Sequence, residues 1–108
     1  MKVGVIGAGY WGKKHISEFK ALGYNIFVSD LNEKNLEPYF NYEANKTTSN
    51  YRHLLENKEI SAITICAPNS LHYKLARECL IAKKHVLVEK PIAENINEAN
   101  ELIDLAKK

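Results

Sequence analysis

Three glycines near the amino terminus have the spacing of a phosphate-binding loop. Gly7, Gly9 and Gly12 follow a short apolar run and open a segment with helical periodicity. In that context the first glycine permits a tight turn, the second lets a phosphate approach the backbone, and the third lets the helix pack closely on the strand. The free N–H groups at the start of the helix, around Tyr10 and Trp11, are expected to bind a pyrophosphate with help from the helix dipole.

A carboxylate at the end of the next apolar run completes this pattern. Asp30 closes the segment 25–30, where a dinucleotide-binding fold places the acidic residue that accepts hydrogen bonds from the adenosine ribose. A 2′-phosphate would meet that carboxylate, and no arginine follows at 31–33 to neutralise it. The sequence therefore favours NAD over NADP as the cofactor. The alternative is a glycine-rich turn followed by an unrelated strand-end aspartate.

Composition indicates an ordinary globular domain. The chain has 108 residues, of which 45% are hydrophobic and 26% are charged, which argues against a disordered, collagen-like or coiled-coil chain. This length fits one domain, a dinucleotide-binding domain at 1–108. A formal net charge of +2 is too balanced to indicate nucleic acid or an anionic membrane as a partner. No apolar stretch reaches the roughly 18–20 residues that span a bilayer.

The cysteines indicate the cellular compartment, and the histidines indicate whether a metal site is expected. Cys66 and Cys79 form no CxxC motif and no dense framework, which favours a reducing, cytoplasmic location. The four histidines show neither i, i+4 spacing nor a cysteine at ligand spacing, so no metal site is expected.

The elements that must position these residues alternate between strand and helix. Apolar runs predict strands at 3–6, 25–30, 61–67 and 85–88, with a short third strand near Lys46 and Thr47. Helical periodicity predicts helices at 11–22, 32–39 (bent or broken at Pro38), 51–55, 71–80 and 95–108. This order predicts an α/β fold, a doubly wound parallel Rossmann sheet of about five strands in the order 3-2-1-4-5.

Two motifs in the second half resemble one family. Ala67-Pro68-Asn69 is followed by His72, and the segment 84–91 reads KHVLVEKP. These resemble the glucose–fructose oxidoreductase, inositol dehydrogenase and rhizopine catabolism family (Gfo/Idh/MocA), whose members commonly read TPN-x-x-H and GKHVLVEKP at these places. The resemblance covers the chain from Lys2 to its last residue. The glycine loop is common to many families, whereas the Glu89-Lys90-Pro91 end of strand 5 is specific to this one.

The resemblance implies roles for the residues that match. Ala67, Pro68 and Asn69 match a loop that lines the ribose groups, although Ala67 replaces the usual threonine and removes one hydroxyl contact. His72 matches a histidine near the cofactor. Three further residues match the nicotinamide end of the site: Glu89 beside the nicotinamide, Lys90 as the catalytic lysine that holds substrate and assists proton transfer, and Pro91 in the turn.

The position of Lys90 supports that role independently. It lies just past the carboxyl end of a predicted strand, on the edge where ligands bind in open parallel sheets. A lysine there can have a lowered pKa and can polarise a substrate hydroxyl. The alternative is a solvated lysine at a strand end.

The resemblance also implies what lies outside this chain. Family members are much longer, and their second half supplies a sixth strand, a substrate-binding domain and much of a dimer interface. We therefore expect the NAD(P)-binding domain of an oxidoreductase acting on sugar- or polyol-like CH–OH groups, incomplete for catalysis alone, with a separate substrate-binding domain or chain as partner. The alternatives are a stand-alone dinucleotide-binding or regulatory protein and a small oxidoreductase that builds its site across subunits.

An unpaired strand edge suggests assembly. The segment 85–88 is expected at the edge of the sheet without a mid-strand lysine or proline to protect it. We therefore expect a homo-oligomer with strand 5 and the last helix near the contact, the alternative being a monomer with a hydrated edge.

Overall fold

Five parallel strands form the centre of the molecule, as the sequence predicts. The computed structural model describes residues 2–39, 45–88 and 93–107. Every neighbouring pair of strands is parallel, in the order β3-β2-β1-β4-β5. The strands are β1 (Lys2–Ile6), β2 (Asn25–Ser29), β3 (Asn45–Thr48), β4 (Ile60–Ile65) and β5 (His85–Val88).

Within the described residues, four α-helices connect the strands or follow the last one, and three of them have ten residues or more. They are α1 (Tyr10–Ala21), α2 (Arg52–Glu56), α3 (His72–Ile81) and α4 (Ile96–Ala106). Asn95 caps α4, since its side-chain oxygen accepts a hydrogen bond from the Glu98 N–H at 2.9 Å. No helix in the described part of the chain is long and apolar enough to cross a membrane.

Two apolar cores lie on opposite faces of the sheet because successive strand residues point to opposite sides. In β1, Val3 and Val5 pack with Ile16 of α1. Ile6, at the other parity, packs with the β4 isoleucines and with residues of α2, α3 and α4. Both faces of the sheet are therefore covered, which explains why the strands are apolar runs rather than alternating ones.

The segment 32–39 differs from the sequence prediction. It forms two 3₁₀ turns, Glu33–Asn35 and Glu37–Tyr39, so the predicted break near Pro38 is present but the segment is not α-helical. Pro38 lacks an N–H and disfavours the α conformation at the preceding residue, so an α-helix cannot continue through it. The first turn is closed by Asn32, whose side-chain oxygen accepts from the Lys34 N–H at 3.1 Å.

The edge position of β5 is as expected. β5 pairs with β4 in a sheet whose order ends at β5, and Leu87 is 56% exposed. The residues predicted for the nicotinamide end, Glu89, Lys90 and Pro91, lie outside the described residues.

Candidate cofactor-binding site

A cavity of about 610 Å³ opens at the carboxyl edge of the sheet. This volume falls within the roughly 300–1,000 Å³ of small-molecule sites. Residues at the carboxyl ends of β1, β2 and β4 contribute to its wall. Eight of the residues predicted from sequence line it: Gly7, Gly9, Tyr10, Trp11, Asp30, Ala67, Pro68 and Asn69.

The glycine loop packs tightly against β2 and α1 on the side away from the cavity. Gly7 has a φ of 101° and donates its N–H to the Ser29 carbonyl at 2.7 Å, which ties the loop to β2. A Cβ on Gly12 would lie 1.8 Å from the Gly7 carbonyl oxygen. Gly12 is buried and is not among the residues that line the cavity. Its function in the site is therefore to let α1 pack against the loop.

The start of α1 is open on its cavity side. Gly9 is the N-cap residue and supplies no side-chain hydrogen bond, and no acidic residue occupies the first turn. The first N–H groups of a helix have no intrahelical acceptor, and the helix dipole favours an anion beside them. A Cβ built on Gly9 meets no protein atom within 4 Å, and Gly9 lines the cavity. The space in front of these donors can therefore accept a phosphate group.

An aromatic pair stands beside these donors. Tyr10 is 70% exposed and Trp11 is 58% exposed, and their rings pack edge to face with centroids 5.3 Å apart. The Lys14 ammonium lies 4.4 Å from the Tyr10 centroid and 4.7 Å from the Trp11 centroid, and it donates to the Tyr10 hydroxyl at 3.1 Å. These cation–π contacts hold both rings at the mouth of the cavity.

Asp30 lies just past β2 and is held in place by the protein. Its Oδ2 accepts from the Ala8 N–H at 2.8 Å, and its Oδ1 accepts from the Asn32 N–H at 2.8 Å. The amide of Asn35 donates to Oδ2 at 3.1 Å. Asp30 is half-buried and lines the cavity, so its carboxylate is presented to a ligand in a fixed orientation.

The loop after β4 forms the opposite wall. β4 ends at Ile65, so Cys66 and Ala67, predicted as strand, belong to this loop. His72 begins α3 with a side chain that is 1% exposed, and its Nε2 lies 2.9 Å from the Ala67 carbonyl oxygen. His72 is not among the lining residues and lies behind the loop, where it fixes Ala67.

Several lining residues were not predicted from the sequence. Some of them, such as Ser49 and Tyr51, follow β3, and others, such as Lys74, lie in α3. The Tyr51 hydroxyl donates to the Glu78 carboxylate. Burial, together with Glu78, raises the pKa of Tyr51. The rule that ligands bind beyond strand ends could have found Ser49 and Tyr51, but β3 is too polar to be located well. The lining residues missed are Ile6, Ser29, Leu31, Asn32, Asn35, Ser49, Tyr51, Cys66, Leu71, Lys74 and Leu75.

Metal chemistry has no visible site in the part of the chain that the structure describes. There, no group of three or more His, Cys, Asp or Glu residues is placed to hold a metal ion. The arrangement instead offers helix N–H donors for an anion and a fixed carboxylate for hydroxyl groups, which fits a dinucleotide.

A family model decides the relationship. The model described as "Oxidoreductase family, NAD-binding Rossmann fold" (GFO_IDH_MocA) matches residues 1–108. The chain belongs to this family. It is an NAD-binding Rossmann domain of the oxidoreductase type, as its motifs predicted.

Two curated relatives illustrate the match. The oxidoreductase YrbE of Bacillus subtilis, which is uncharacterized, is 32% identical over 108 residues, covering 97% of this chain and 32% of YrbE. The myo-inositol 2-dehydrogenase of Thermotoga maritima is 32% identical over 111 residues, covering 100% of this chain and 33% of that enzyme. The chain therefore spans about a third of the length of these relatives.

Solved structures share the fold. An NAD-binding protein from Listeria innocua is 27% identical with a TM-score of 0.87, covering 98% of this chain and 32% of that one. GenD2 from gentamicin A biosynthesis, solved with NAD, has a TM-score of 0.92 at 23% identity, with 99% and 31% covered. KijD10 from Actinomadura kijaniata, solved with NADP, has a TM-score of 0.88 at 24% identity, with 99% and 34% covered. Both cofactors therefore occur on this fold.

Proposed function

We propose that the chain binds NAD in preference to NADP at the carboxyl edge of the sheet. In this proposal it is the cofactor-binding part of an oxidoreductase that acts on CH–OH groups of sugars or polyols. The substrate class is supported by the family and by relatives such as the Thermotoga myo-inositol 2-dehydrogenase. The nicotinamide ring of a bound NAD supplies the hydride acceptor for such an oxidation.

The fixed carboxylate of Asp30 carries the cofactor preference. A ribose bearing two hydroxyls donates hydrogen bonds to a carboxylate, whereas a 2′-phosphate is repelled by it. Because two main-chain N–H groups and the Asn35 side-chain amide together hold Asp30, its carboxylate cannot easily turn away from such a phosphate. No arginine at 31–33 offers a compensating charge.

The remaining residues divide into a pyrophosphate side and a ribose side. Gly7 and Gly9, with the N–H groups of Tyr10 and Trp11, hold the pyrophosphate, and Gly12 lets α1 approach. Across the cavity, the ribose groups lie against the loop formed by Ala67, Pro68 and Asn69, which His72 supports from behind.

The family resemblance supports roles for three residues outside the described part of the chain. Lys90 holds the substrate alcohol and assists removal of its proton, Glu89 lies near the nicotinamide, and Pro91 shapes the turn. Hydride transfer also needs a positioned donor carbon, which in this proposal a separate substrate-binding domain or chain supplies. We expect the 108-residue chain to bind NAD without turning over a sugar or polyol. Lys90-dependent reduction of NAD by this chain alone would contradict that expectation.

Titration calorimetry with NAD and with NADP tests the cofactor assignment. The unmutated chain is expected to bind NAD more tightly. Asp30→Ala is expected to weaken NAD about 10- to 100-fold, the magnitude of hydrogen bonds to a charged group, and to narrow the preference. Equal affinity of the unmutated chain for both dinucleotides would contradict the preference.

A glycine variant tests the position of the pyrophosphate. Gly9→Ala places a methyl group where the protein has no atom within 4 Å, so the fold is retained while a phosphate is excluded. We expect weaker binding of NAD and of ADP with little change in the unfolding midpoint. Leu22→Ala, an exposed change at the other end of α1, is the control and leaves both affinities as they are.

We also propose a cytoplasmic location and a homo-oligomeric assembly. The sequence has no CxxC motif and no dense cysteine framework, which supports a reducing cytoplasm. The edge position of β5 supports a homo-oligomer, since an open strand edge can pair with a second chain.

A further inference from the structure

Three donors converge on the Asp30 carboxylate. The Ala8 N–H comes from the glycine loop, the Asn32 N–H from the chain after β2, and the Asn35 side-chain amide from the first 3₁₀ turn. A carboxylate offers about four lone-pair sites. Donors in the described part of the chain take three of them, and a ligand hydroxyl in the cavity can take a fourth.

Asn35 differs from the other two donors because its contribution depends on its side chain. Any residue except proline could supply the N–H groups of positions 8 and 32. Among the described residues, Asn35 provides the side-chain hydrogen bond to Asp30, and it also lines the cavity. A substitution at position 35 therefore removes a donor to Asp30, whereas most substitutions at positions 8 and 32 keep theirs.

The turn that carries Asn35 is anchored at both ends. The Asn35 N–H donates to the Asn32 carbonyl at 3.0 Å, and the Leu36 N–H donates to the Glu33 carbonyl at 3.0 Å. Leu36 is 3% exposed and packs into the core on the α1 face. Because the backbone is fixed, the Asn35 amide reaches Asp30 without first having to be ordered by a ligand.

We propose that Asn35 is a positioning residue that sets the cofactor selectivity of the site by fixing the Asp30 carboxylate. This inference rests on the proposed function, in which the Asp30 carboxylate meets the adenosine ribose. With the amide in place, the carboxylate keeps one orientation, accepts a ribose hydroxyl and repels a 2′-phosphate. Without it, Oδ2 loses one of its two protein donors, so the carboxylate can rotate, bind the hydroxyl less well and avoid the phosphate.

A cationic side chain at position 35 would favour NADP over NAD. An arginine there would pair with Asp30 and offer N–H donors to a 2′-phosphate, the chemistry by which such folds accept NADP. The neutral amide of Asn35 provides the restraint on Asp30 without this charge.

Calorimetry on the 108-residue chain tests the role of Asn35. Asn35→Ala is expected to weaken NAD about three- to tenfold, less than Asp30→Ala because the carboxylate itself remains, and to weaken NADP by less, so that the ratio of the two dissociation constants narrows. Asn35→Gln, which keeps an amide, is expected to recover part of the preference. Asn35→Arg is expected to shift the ratio toward NADP. Glu33→Ala, an exposed change in the same turn, is the control and is expected to leave the ratio unchanged.

A double-variant cycle separates positioning from a general structural effect. In the Asp30→Ala background, Asn35→Ala is expected to change neither affinity by more than about twofold, because its target is gone. Thermal unfolding of each variant identifies any loss of fold. An unchanged ratio in Asn35→Ala, or an equal loss of NAD affinity with and without Asp30, would overturn the inference while leaving NAD binding intact. Failure of the unmutated chain to bind NAD would overturn the proposed function and this inference together.

Discussion

Asp30 and Lys84 carry opposite charges at opposite ends of the sheet, and the protein satisfies both with hydrogen bonds to its main chain. Asp30 follows the carboxyl end of β2 and accepts from the N–H groups of Ala8 and Asn32. Lys84 precedes the amino end of β5 and donates to the carbonyl oxygens of Asn57 and Ile60, at 2.7 Å each. The polar partners alone therefore do not distinguish a binding group from a structural one.

The surroundings of Asp30 and Lys84 differ. Lys84 is 8% exposed, and burial lowers its pKa from the ordinary value. Asp30 is half-buried, but its open side lies on the wall of the cavity. A charged group that protein encloses can act only through its hydrogen bonds within the fold, as Lys84 does, whereas one that faces a cavity can also bind a ligand. This comparison assigns stability to the amino edge of the sheet and recognition to the carboxyl edge.

Gly12→Ala is expected to have the largest effect, because it disturbs the loop beside Asp30 at the carboxyl edge of the sheet. The new Cβ would lie 1.8 Å from the Gly7 carbonyl oxygen, so the loop and α1 must separate. We expect a loss of at least about 3 kcal/mol in the free energy of unfolding, together with loss of NAD binding. Urea unfolding checks the first effect and calorimetry the second. Gly9→Ala is the matched control, with an expected change below about 1 kcal/mol in stability. Similar stabilities of the two variants would contradict this account.

Lys84→Met tests the structural half of the comparison. It leaves the Asn57 and Ile60 carbonyls without their donor, which we expect to lower the free energy of unfolding by about 2–3 kcal/mol. NAD affinity is expected to stay the same, because Lys84 lies at the far end of the sheet. Lys58→Met removes an exposed lysine and is the control for charge loss, with an expected effect within about 0.5 kcal/mol. If the Lys84→Met variant folds but binds NAD more weakly, the assignment of different roles to the two edges of the sheet is wrong.

The pH dependence of stability tests the effect of burial on Lys84. Burial lowers the folded-state pKa of Lys84 below its ordinary value of 10.5. Between that lowered pKa and 10.5 the unfolded chain holds a proton that the folded chain has released, so stability from this group rises with pH. Below the lowered pKa both states are protonated, and the contribution is constant.

Comparison with Lys84→Met isolates this contribution. Cys79, the other titratable group acting on Lys84, has a pKa raised to about 12 by burial and is present in both proteins. Urea unfolding of both proteins from about pH 7 to 10 is expected to show the stability difference growing toward high pH. A difference that stays flat or shrinks would contradict the lowered pKa.

The smallest expected effect concerns the edge of the sheet, away from both charges. Leu87 is 56% exposed on the edge strand β5, so Leu87→Lys adds a charge there at little cost in stability. Sedimentation at micromolar concentration is expected to show an oligomer for the unmutated chain and a smaller species for the variant. A species of the 12.3 kDa monomer mass before mutation would refute edge pairing.

Local sequence patterns were enough to predict most of the fold. The glycine spacing, the apolar runs and the alternation of strands with helices gave the parallel sheet and its order, because periodicity and backbone sterics act within a few residues. The segment 32–39 was predicted as a short helix bent or broken at Pro38. The break is present, but the two parts are 3₁₀ turns, which periodicity does not distinguish from an α-helix.

The sequence by itself determined the chemistry at the strand ends, namely a glycine loop and an aspartate suited to a dinucleotide. Tertiary structure decided which side chains surround them. It brought Asn35 to Asp30 and brought Ser49, Tyr51 and Lys74 to the same cavity, while placing Gly12 and His72 behind its walls. Ser49, Tyr51 and Lys74 come from segments far from Asp30 in the chain, whereas Asn35 is close to it in sequence. In each case the geometry follows from how the helices and loops pack on the sheet, which no local pattern encodes.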